Sequence, residues 1–245
     1  MDGRRHYKTC VSMTSQKPEK ALNDALAWRD SGGGLPAEHC AALALVALGR
    51  YKDAAERLDG LVSDVTTGRF PMPDPDVNVE DMRLDLLAQA GNAWLLAAQA
   101  DDAYRDLSEA MADTAPSAPR YIELLIDRAR SLAAMGEFKA AIDDLTQAAA
   151  RAPKRAEIYA FRAAAWRALS KGEQALKDAE TALLFDPDNL AALLERGNLR
   201  RLAGDSDGAR ADWRRILDLA PNTPAAQSAR TNIQRLEIGD ADPAN

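Results

Sequence analysis

The sequence predicts an all-α fold, a stack of paired helices, on the strength of three observations. Alanine, the strongest helix former, is abundant, while aromatic residues make up only 5% of the 245 residues. Long alternating runs of Val, Ile and Thr, which are typical of strands, do not occur in the sequence. A pattern of small and apolar residues recurs every 34 residues. Because 47% of the residues are apolar, we expect a core in which small side chains bring helices close together.

The repeat is clearest in the C-terminal half of the chain. In MGEFKAAIDDLTQAAARAP, residues 135–153, apolar side chains recur at helical spacing between Gly136 and Pro153. The spacing returns in LSKGEQALKDAETALLFDP, residues 169–187, and again in residues 203–221. Three prolines and two series of small residues stay in phase: Pro153, Pro187 and Pro221; Ala141, Ala175 and Ala209; Ala129, Ala163 and Gly197. Proline ends a helix and small residues let two helices approach, so each period predicts one helical hairpin.

This spacing resembles the tetratricopeptide repeat, whose unit is a hairpin of two helices. The resemblance implies a right-handed superhelical solenoid of such hairpins, closed by a C-terminal capping helix that covers the last apolar face. The predicted segments are a degenerate N-terminal repeat at 2–34, repeats at 35–68, 84–117, 122–155, 156–189 and 190–223, an inserted loop at 69–83, and a capping helix at 224–237. The loop is predicted because RFPMPDPDVNVED contains three prolines, which cannot continue a helix.

In the family that this sequence resembles, partners bind along the concave face that the first helices of successive repeats form. Carried over onto this sequence, the resemblance implies a groove of mixed charge made of Gln89, Asn92, Asp127, Arg130, Glu157, Phe161, Arg167, Glu195, Asn198 and Arg201. Arg130, Arg167 and Arg201 suit the recognition of carboxylates, because the guanidinium fork donates paired hydrogen bonds. The alternative is that these residues form ordinary solvated helix faces.

The predicted function is a non-catalytic scaffold that binds a peptide or helix of a partner protein in this groove, without a cofactor. The alternative is a chaperone-like or self-assembling repeat protein of the cell envelope, which would form a homo-oligomer. One known use of the family does not fit. The positions that grip the acidic tails of chaperones hold Asp127 and Glu157 here, and these side chains would repel carboxylates.

Both cysteines and both histidines lie within the first 40 residues. The stretches YKTC and HCAALALVALGRYKDAA resemble exported bacterial members of the family, and that resemblance implies a disulfide between Cys10 and Cys40 and a periplasmic or otherwise exported location. Two buried free thiols with a cytoplasmic location, and a zinc site of His6, Cys10, His39 and Cys40, remain open. His39 and Cys40 are adjacent on one helix and point about 100° apart, which disfavours a shared metal.

Charge and composition argue against other classes of protein. A net charge of −7 disfavours nucleic-acid binding, which depends on clustered Lys and Arg. No apolar run approaches the roughly 20 residues that span a bilayer. Catalysis is disfavoured because only His39 stands beside a cysteine, and the sequence has no phosphate-cradling loop or paired-histidine zinc motif. The excess of arginine over lysine and the alanine content indicate a bacterial, GC-rich genome.

Overall fold

The computed structural model describes residues 3–69 and 78–240, and within these ranges the chain forms thirteen α-helices and no strand. This confirms the all-α prediction. A π-helical turn, Arg29–Gly33, joins the second and third helices. The helices are α1 Gly3–Thr14, α2 Pro18–Trp28, α3 Gly34–Ala47, α4 Tyr51–Thr67, α5 Val79–Leu96, α6 Ala100–Ala112, α7 Arg120–Ala134, α8 Phe138–Arg151, α9 Ala156–Ala168, α10 Gly172–Phe185, α11 Leu190–Leu202, α12 Ser206–Leu219 and α13 Pro224–Asp240.

The chain divides into two compact units, Met1–Met135 and Gly136–Asn245. In the first unit, consecutive helices pack as the hairpins α1–α2, α3–α4 and α5–α6, with α7 against α6. In the second unit, α9–α10 and α11–α12 are hairpins, α8 packs on α9, and α13 packs on α12. The two hairpins of the second unit lie within the predicted repeat segments 156–189 and 190–223.

Small residues bring the two helices of a hairpin close together. In the first unit, a Cβ atom added to Gly91 of α5 would lie 2.5 Å from the Leu107 Cγ atom of α6. In the second unit, a Cβ added to Gly197 of α11 would lie 2.4 Å from the Trp213 Nε1 atom of α12. The other small residues of the 34-residue pattern in that unit are also inaccessible to solvent, among them Ala163, Ala175 and Ala209. The large side chains Leu107 and Trp213 therefore fill space that glycine leaves.

The predicted inserted loop at 69–83 is too long at its C-terminal end, because α5 begins at Val79. Asn78 is the N-cap, and its side-chain oxygen accepts hydrogen bonds from the backbone N–H groups of Glu80, at 2.9 Å, and Asp81. The two acids in the first turn also interact favourably with the helix dipole. Because three prolines precede Glu80 and Asp81 in the sequence, the prediction assigns these two acids to the loop. The N-cap at Asn78 instead starts the helix before them, so that both lie in its first turn. The prediction for residues 70–77 lies outside the described residues.

The second unit has a repeated ion pair that links the two helices of each hairpin. Arg162 of α9 donates from Nε and Nη2 to both carboxylate oxygens of Asp178 in α10, at 2.7 and 2.8 Å. Thirty-four residues later, Arg196 of α11 binds Asp212 of α12 in the same way, at 2.9 and 2.6 Å. Both aspartates are buried, and the paired hydrogen bonds compensate for the lost hydration of their charges.

The first unit contains a buried aspartate without this partner. Asp106 of α6 is 3% exposed, but the residue 16 positions earlier, where the two hairpins of the second unit have arginine, is Ala90. Arg105 donates from Nε to Asp106 Oδ1 at 2.8 Å, while Asp106 Oδ2 has no hydrogen-bond partner. Burial raises the pKa of Asp106 to about 7, with the carboxylate of Asp59 on α4 also raising it and Arg105 opposing the change.

A disulfide bond joins α1 to α3 at the N-terminal end of the first unit. The Cα atoms of Cys10 and Cys40 are 6.2 Å apart, and both side chains are inaccessible to solvent. The ring of His6 stacks on Trp28 with 4.2 Å between centroids. His39 uses both ring nitrogens in hydrogen bonds to neighbouring helices. The structure therefore contradicts the alternative of a zinc site, because the two cysteines are bonded to each other and both ring nitrogens of His39 are hydrogen-bonded.

Candidate functional site

The first helices of the first unit are joined by polar side chains. His39 Nε2–H of α3 donates to Gln89 Oε1 of α5 at 2.7 Å. The Tyr7 hydroxyl of α1 then donates to His39 Nδ1 at 2.6 Å, because burial lowers the pKa of His39 and keeps the ring neutral. On α5, Asn92 Nδ2 donates to Asp127 Oδ2 of α7 at 2.8 Å.

The four predicted groove residues of the first unit are therefore bound within the unit. Arg130 Nη1 donates to Asp127 Oδ1 at 2.9 Å, so that Asp127 accepts from both Asn92 and Arg130. Gln89 and Asn92 are each used in a contact between successive first helices. These side chains hold the helices together, a role that the sequence interpretation, which assigns them to partner binding, does not anticipate.

In the second unit, most predicted groove residues are also paired. Arg167 of α9 donates from Nε and Nη2 to the two carboxylate oxygens of Glu195 in α11, at 2.5 and 3.2 Å. Glu157 forms an ion pair with Arg155, and Phe161 is half-buried. Asn198 Oδ1 of α11 accepts a hydrogen bond from Asn232 Nδ2 of α13 at 2.9 Å. This last contact joins α11, the first helix of its hairpin, to α13, which lies beside it.

Arg201 differs from the other groove arginines. It is exposed on α11, and its guanidinium has no hydrogen-bond or ion-pair partner among the residues that the structure describes. Arg235 of α13, which stands 34 residues later, is also exposed and also without a described partner. Arg167, Arg201 and Arg235 thus occupy one repeat position on three successive first helices. We call the surface formed by Arg167, Glu195, Asn198, Arg201, Asn232 and Arg235 the arginine face.

Sequence interpretation misses Arg235 because it treats residues 224–237 as a cap without a binding role. The signal that could have found it is the same 34-residue spacing that relates Arg167 to Arg201. On α13, Arg235 lies one helical turn beyond Asn232, just as Arg201 lies one turn beyond Asn198 on α11. The Asn198–Asn232 hydrogen bond and the two arginines are therefore on the same side of adjacent helices. A shallow depression of about 370 Å³ on α13 also includes Asn232 and Arg235.

A larger depression, of about 500 Å³, lies in the first unit between α2, α3 and α4. Its apolar side chains include Leu22, Leu26 and Leu45. Its charged side chains are already paired, since Arg57 binds Glu38 and Arg50 donates to the Asp53 carboxylate at 2.8 Å. This depression therefore lacks the unpaired charge that distinguishes the arginine face.

Within residues 3–69 and 78–240, no group of three or more His, Cys, Asp or Glu side chains is placed to hold a metal ion. In the same ranges, none of the helices has the length and apolar character that crossing a membrane requires.

Comparison with known proteins agrees with the helical-hairpin architecture. Residues 191–223, which include most of α11 and all of α12, match the family model for the tetratricopeptide repeat. A thermophilic TPR protein of Thermus thermophilus is similar in structure, with a TM-score of 0.63, 18% identity, and coverage of 84% of this chain and 100% of the other. The MamA protein gives a TM-score of 0.55 with 15% identity over 76% of this chain and 92% of the other. No curated protein matches in sequence.

The paired helices, repeated at 34 residues, define a protein built of helical repeats. Residues 191–223 match one tetratricopeptide repeat, and the chain shares the fold of solved tetratricopeptide-repeat proteins, as the spacing of its small residues and prolines predicts.

Proposed function

We propose that this protein is a non-catalytic interaction scaffold that binds a peptide or helix of a partner protein at the arginine face. The observation that carries the proposal is the pair of unpartnered guanidinium groups, Arg201 and Arg235, at one repeat position on adjacent helices of the described chain. Two exposed arginines at one repeat position on adjacent helices offer directed hydrogen bonds to a partner's acceptors. Of the groove residues predicted from the sequence, the proposed binding surface keeps only those of α9 and α11 that belong to the arginine face. It adds Asn232 and Arg235 of α13.

A non-catalytic role is supported by the state of the residues that catalysis would need. His39 is the histidine beside a cysteine, yet both of its ring nitrogens are hydrogen-bonded, to Tyr7 and to Gln89. Its neighbour Cys40 is in a disulfide and so provides no thiolate. Neither member of the pair is available as a general base or a nucleophile.

Cross-linking from two exposed leucines tests the proposed binding surface. Leu202 lies next to Arg201 and is 63% exposed, whereas Leu184 on the second helix α10 is 77% exposed. A photo-reactive phenylalanine analogue would replace each leucine in turn, in the full chain and in cells of the source organism. We expect a partner protein to be cross-linked from position 202 and not from 184, as read by mass spectrometry. Equal capture from both positions would contradict the proposal, and a cross-link to a second copy of the chain would favour the self-assembling alternative.

The proposal also places the protein in an exported compartment, and the buried Cys10–Cys40 disulfide supports that placement, because structural disulfides persist in oxidising surroundings. The test is the intact mass of the protein isolated from its own cells, after it is unfolded in denaturant and alkylated under non-reducing conditions. We expect neither cysteine to be alkylated before reduction and both to be alkylated afterwards. Two cysteines that react before reduction would contradict an exported location and favour the cytoplasmic alternative.

A further inference from the structure

We infer that the ligand of the arginine face is an extended acidic segment with two carboxylates three residues apart, one bound by Arg201 and the other by Arg235. This inference rests on the proposed function and adds the chemistry of the partner to it. It draws on three features of the second unit: an internal arginine–carboxylate pair, a repeat position at which the corresponding carboxylate is absent, and a hydrogen-bonded amide pair that retains one further donor and one further acceptor.

Arg167 shows what an arginine at this repeat position does when a carboxylate is within reach. It binds both oxygens of Glu195, which stands 28 residues later on the next first helix. For Arg201, the residue 28 positions later is Ala229. Ala229 is fully buried and has no polar group to offer. Arginine thus recurs at this repeat position, while the carboxylate 28 residues later is replaced by the methyl group of Ala229. A partner's carboxylate is the group that would restore the pair.

The overall charge of the chain makes the two unpaired cations more significant. The net charge is −7, and acidic side chains are plentiful on the helix surfaces. Even so, neither Arg201 nor Arg235 forms an ion pair within the described residues, whereas Arg162, Arg167 and Arg196 in the same unit are each bound to a carboxylate. A local pair of positive charges on an acidic protein favours an acidic ligand over a basic one.

The Asn198–Asn232 pair leaves two hydrogen-bonding groups between the helices. Asn232 Nδ2 donates to Asn198 Oδ1, so that Asn198 Nδ2 and Asn232 Oδ1 make no hydrogen bond within the described residues. One is a donor and the other an acceptor, which is the combination that a peptide group of an extended chain requires. The main chain of the ligand would therefore cross the face at this pair, close to both arginines.

The separation of the two helices sets the spacing of the ligand's carboxylates. Axes of packed helices lie about 8–10 Å apart. A polyproline II segment rises about 3.1 Å per residue with three residues per turn, so residues i and i+3 point the same way and are about 9 Å apart. Two acidic residues separated by two others would therefore face Arg201 and Arg235 together.

Binding of synthetic peptides to the full chain tests the inference. The probe is the peptide fluorescein-Gly-Pro-Asp-Pro-Pro-Asp-Pro-Gly-amide, labelled at its N-terminal amine, and its controls have Asn in place of both aspartates or the two aspartates next to each other. At low salt, we expect fluorescence polarisation to show that the probe binds and that the peptide with adjacent aspartates binds about tenfold more weakly. The Asn peptide, which lacks both carboxylates, should bind about a hundredfold more weakly. Equal binding of the Asn peptide would overturn the inference.

Matched variants locate the site. Arg201→Gln and Arg235→Gln should each weaken probe binding about tenfold, because each removes one charge-assisted contact. Arg214→Gln removes the same charge from an exposed position on the second helix α12 and should leave binding unchanged. An equal loss in all three variants would show attraction by net charge alone and would overturn the inference. If the acidic probe fails while a partner is still cross-linked from position 202, the inference is wrong and the proposed function stands; failure of both tests removes both.

Discussion

At the scale of single residues, the buried aspartates of the second helices have two different environments. Asp178 and Asp212 each receive two hydrogen bonds from an arginine of their own hairpin. Asp106 has Ala90 at the arginine position, and one of its carboxylate oxygens is unpartnered. The same residue type at the same repeat position is therefore a bound carboxylate in one unit and an incompletely paired acid in the other.

This difference predicts an unusual dependence of stability on pH. Burial raises the pKa of Asp106 to about 7, so the folded protein holds a proton that the unfolded chain has already released at pH 5. The stabilisation is complete below the ordinary pKa and is lost as the pH rises towards 7. We expect the free energy of unfolding in urea to fall by about 2 kcal/mol between pH 5 and pH 7 because of this group.

Asp106→Asn tests that prediction, because the amide cannot ionise. The variant should lose most of the decrease in unfolding free energy between pH 5 and pH 7. Asp178→Asn is the matched control: it leaves Arg162 without its carboxylate and should be destabilised by about 3 kcal/mol at both pH values. A variant at Asp106 that keeps the wild-type slope would show that other groups cause it.

At the scale of helix pairs, the predicted small residues determine how close the helices of a hairpin come. Gly197→Ala would place a methyl group against the buried indole of Trp213, and we expect the free energy of unfolding to fall by about 2 kcal/mol. Gly172→Ala is the control, because Gly172 begins α10 and an added Cβ would meet nothing within 4 Å. The control should be neutral or slightly stabilising, by about 0.5 kcal/mol, in the same urea unfolding experiment. Similar losses in both variants would contradict the packing argument.

The attachment of α1 is a second prediction at this scale. Cys10 is the buried residue of α1, and its disulfide closes a loop across a sequence separation of 30 residues. Replacing both cysteines by alanine should lower the free energy of unfolding by about 3–4 kcal/mol, because the unfolded chain gains freedom. Hydrogen exchange should show faster exchange in α1, with α11 and α12 unchanged as the internal control. Unchanged protection of α1 would show that the His6 and Tyr7 contacts hold the helix without the disulfide.

At the scale of the whole molecule, the repeat register could be predicted from the sequence, whereas the state of individual arginines could not. Prolines and small residues at 34-residue intervals sufficed for the helix pairs, because packing distance depends strongly on side-chain size. Whether an arginine at this repeat position forms an ion pair within the chain depends on the residue 28 positions later, on a neighbouring helix. Thus Arg167 is paired with Glu195 while Arg201 has Ala229 at the corresponding position, a distinction that no local pattern around either arginine contains.

The same comparison suggests a substitution within the chain that would pair with Arg201 and so block the proposed binding site. Ala229→Glu would place a carboxylate at the position that Glu195 has relative to Arg167, and we expect it to pair with Arg201. Binding of the diaspartyl probe should then weaken about tenfold, with the thermal unfolding midpoint as a check that the chain folds. Ala229→Gln is the matched control of similar size and should weaken binding less. Equal effects of Glu and Gln would indicate that crowding, and not charge, closes the site.

The disulfide between the first and third helices has a consequence for a protein under tension. The two cysteines are 30 positions apart in the sequence, and a fully extended chain spans about 3.4 Å per residue. When the molecule is pulled by its two ends, roughly 100 Å of chain would stay hidden behind the covalent link until it is reduced. An oxidised and a reduced molecule would thus differ in their stretched length by that amount, a difference that an optical trap resolves one molecule at a time.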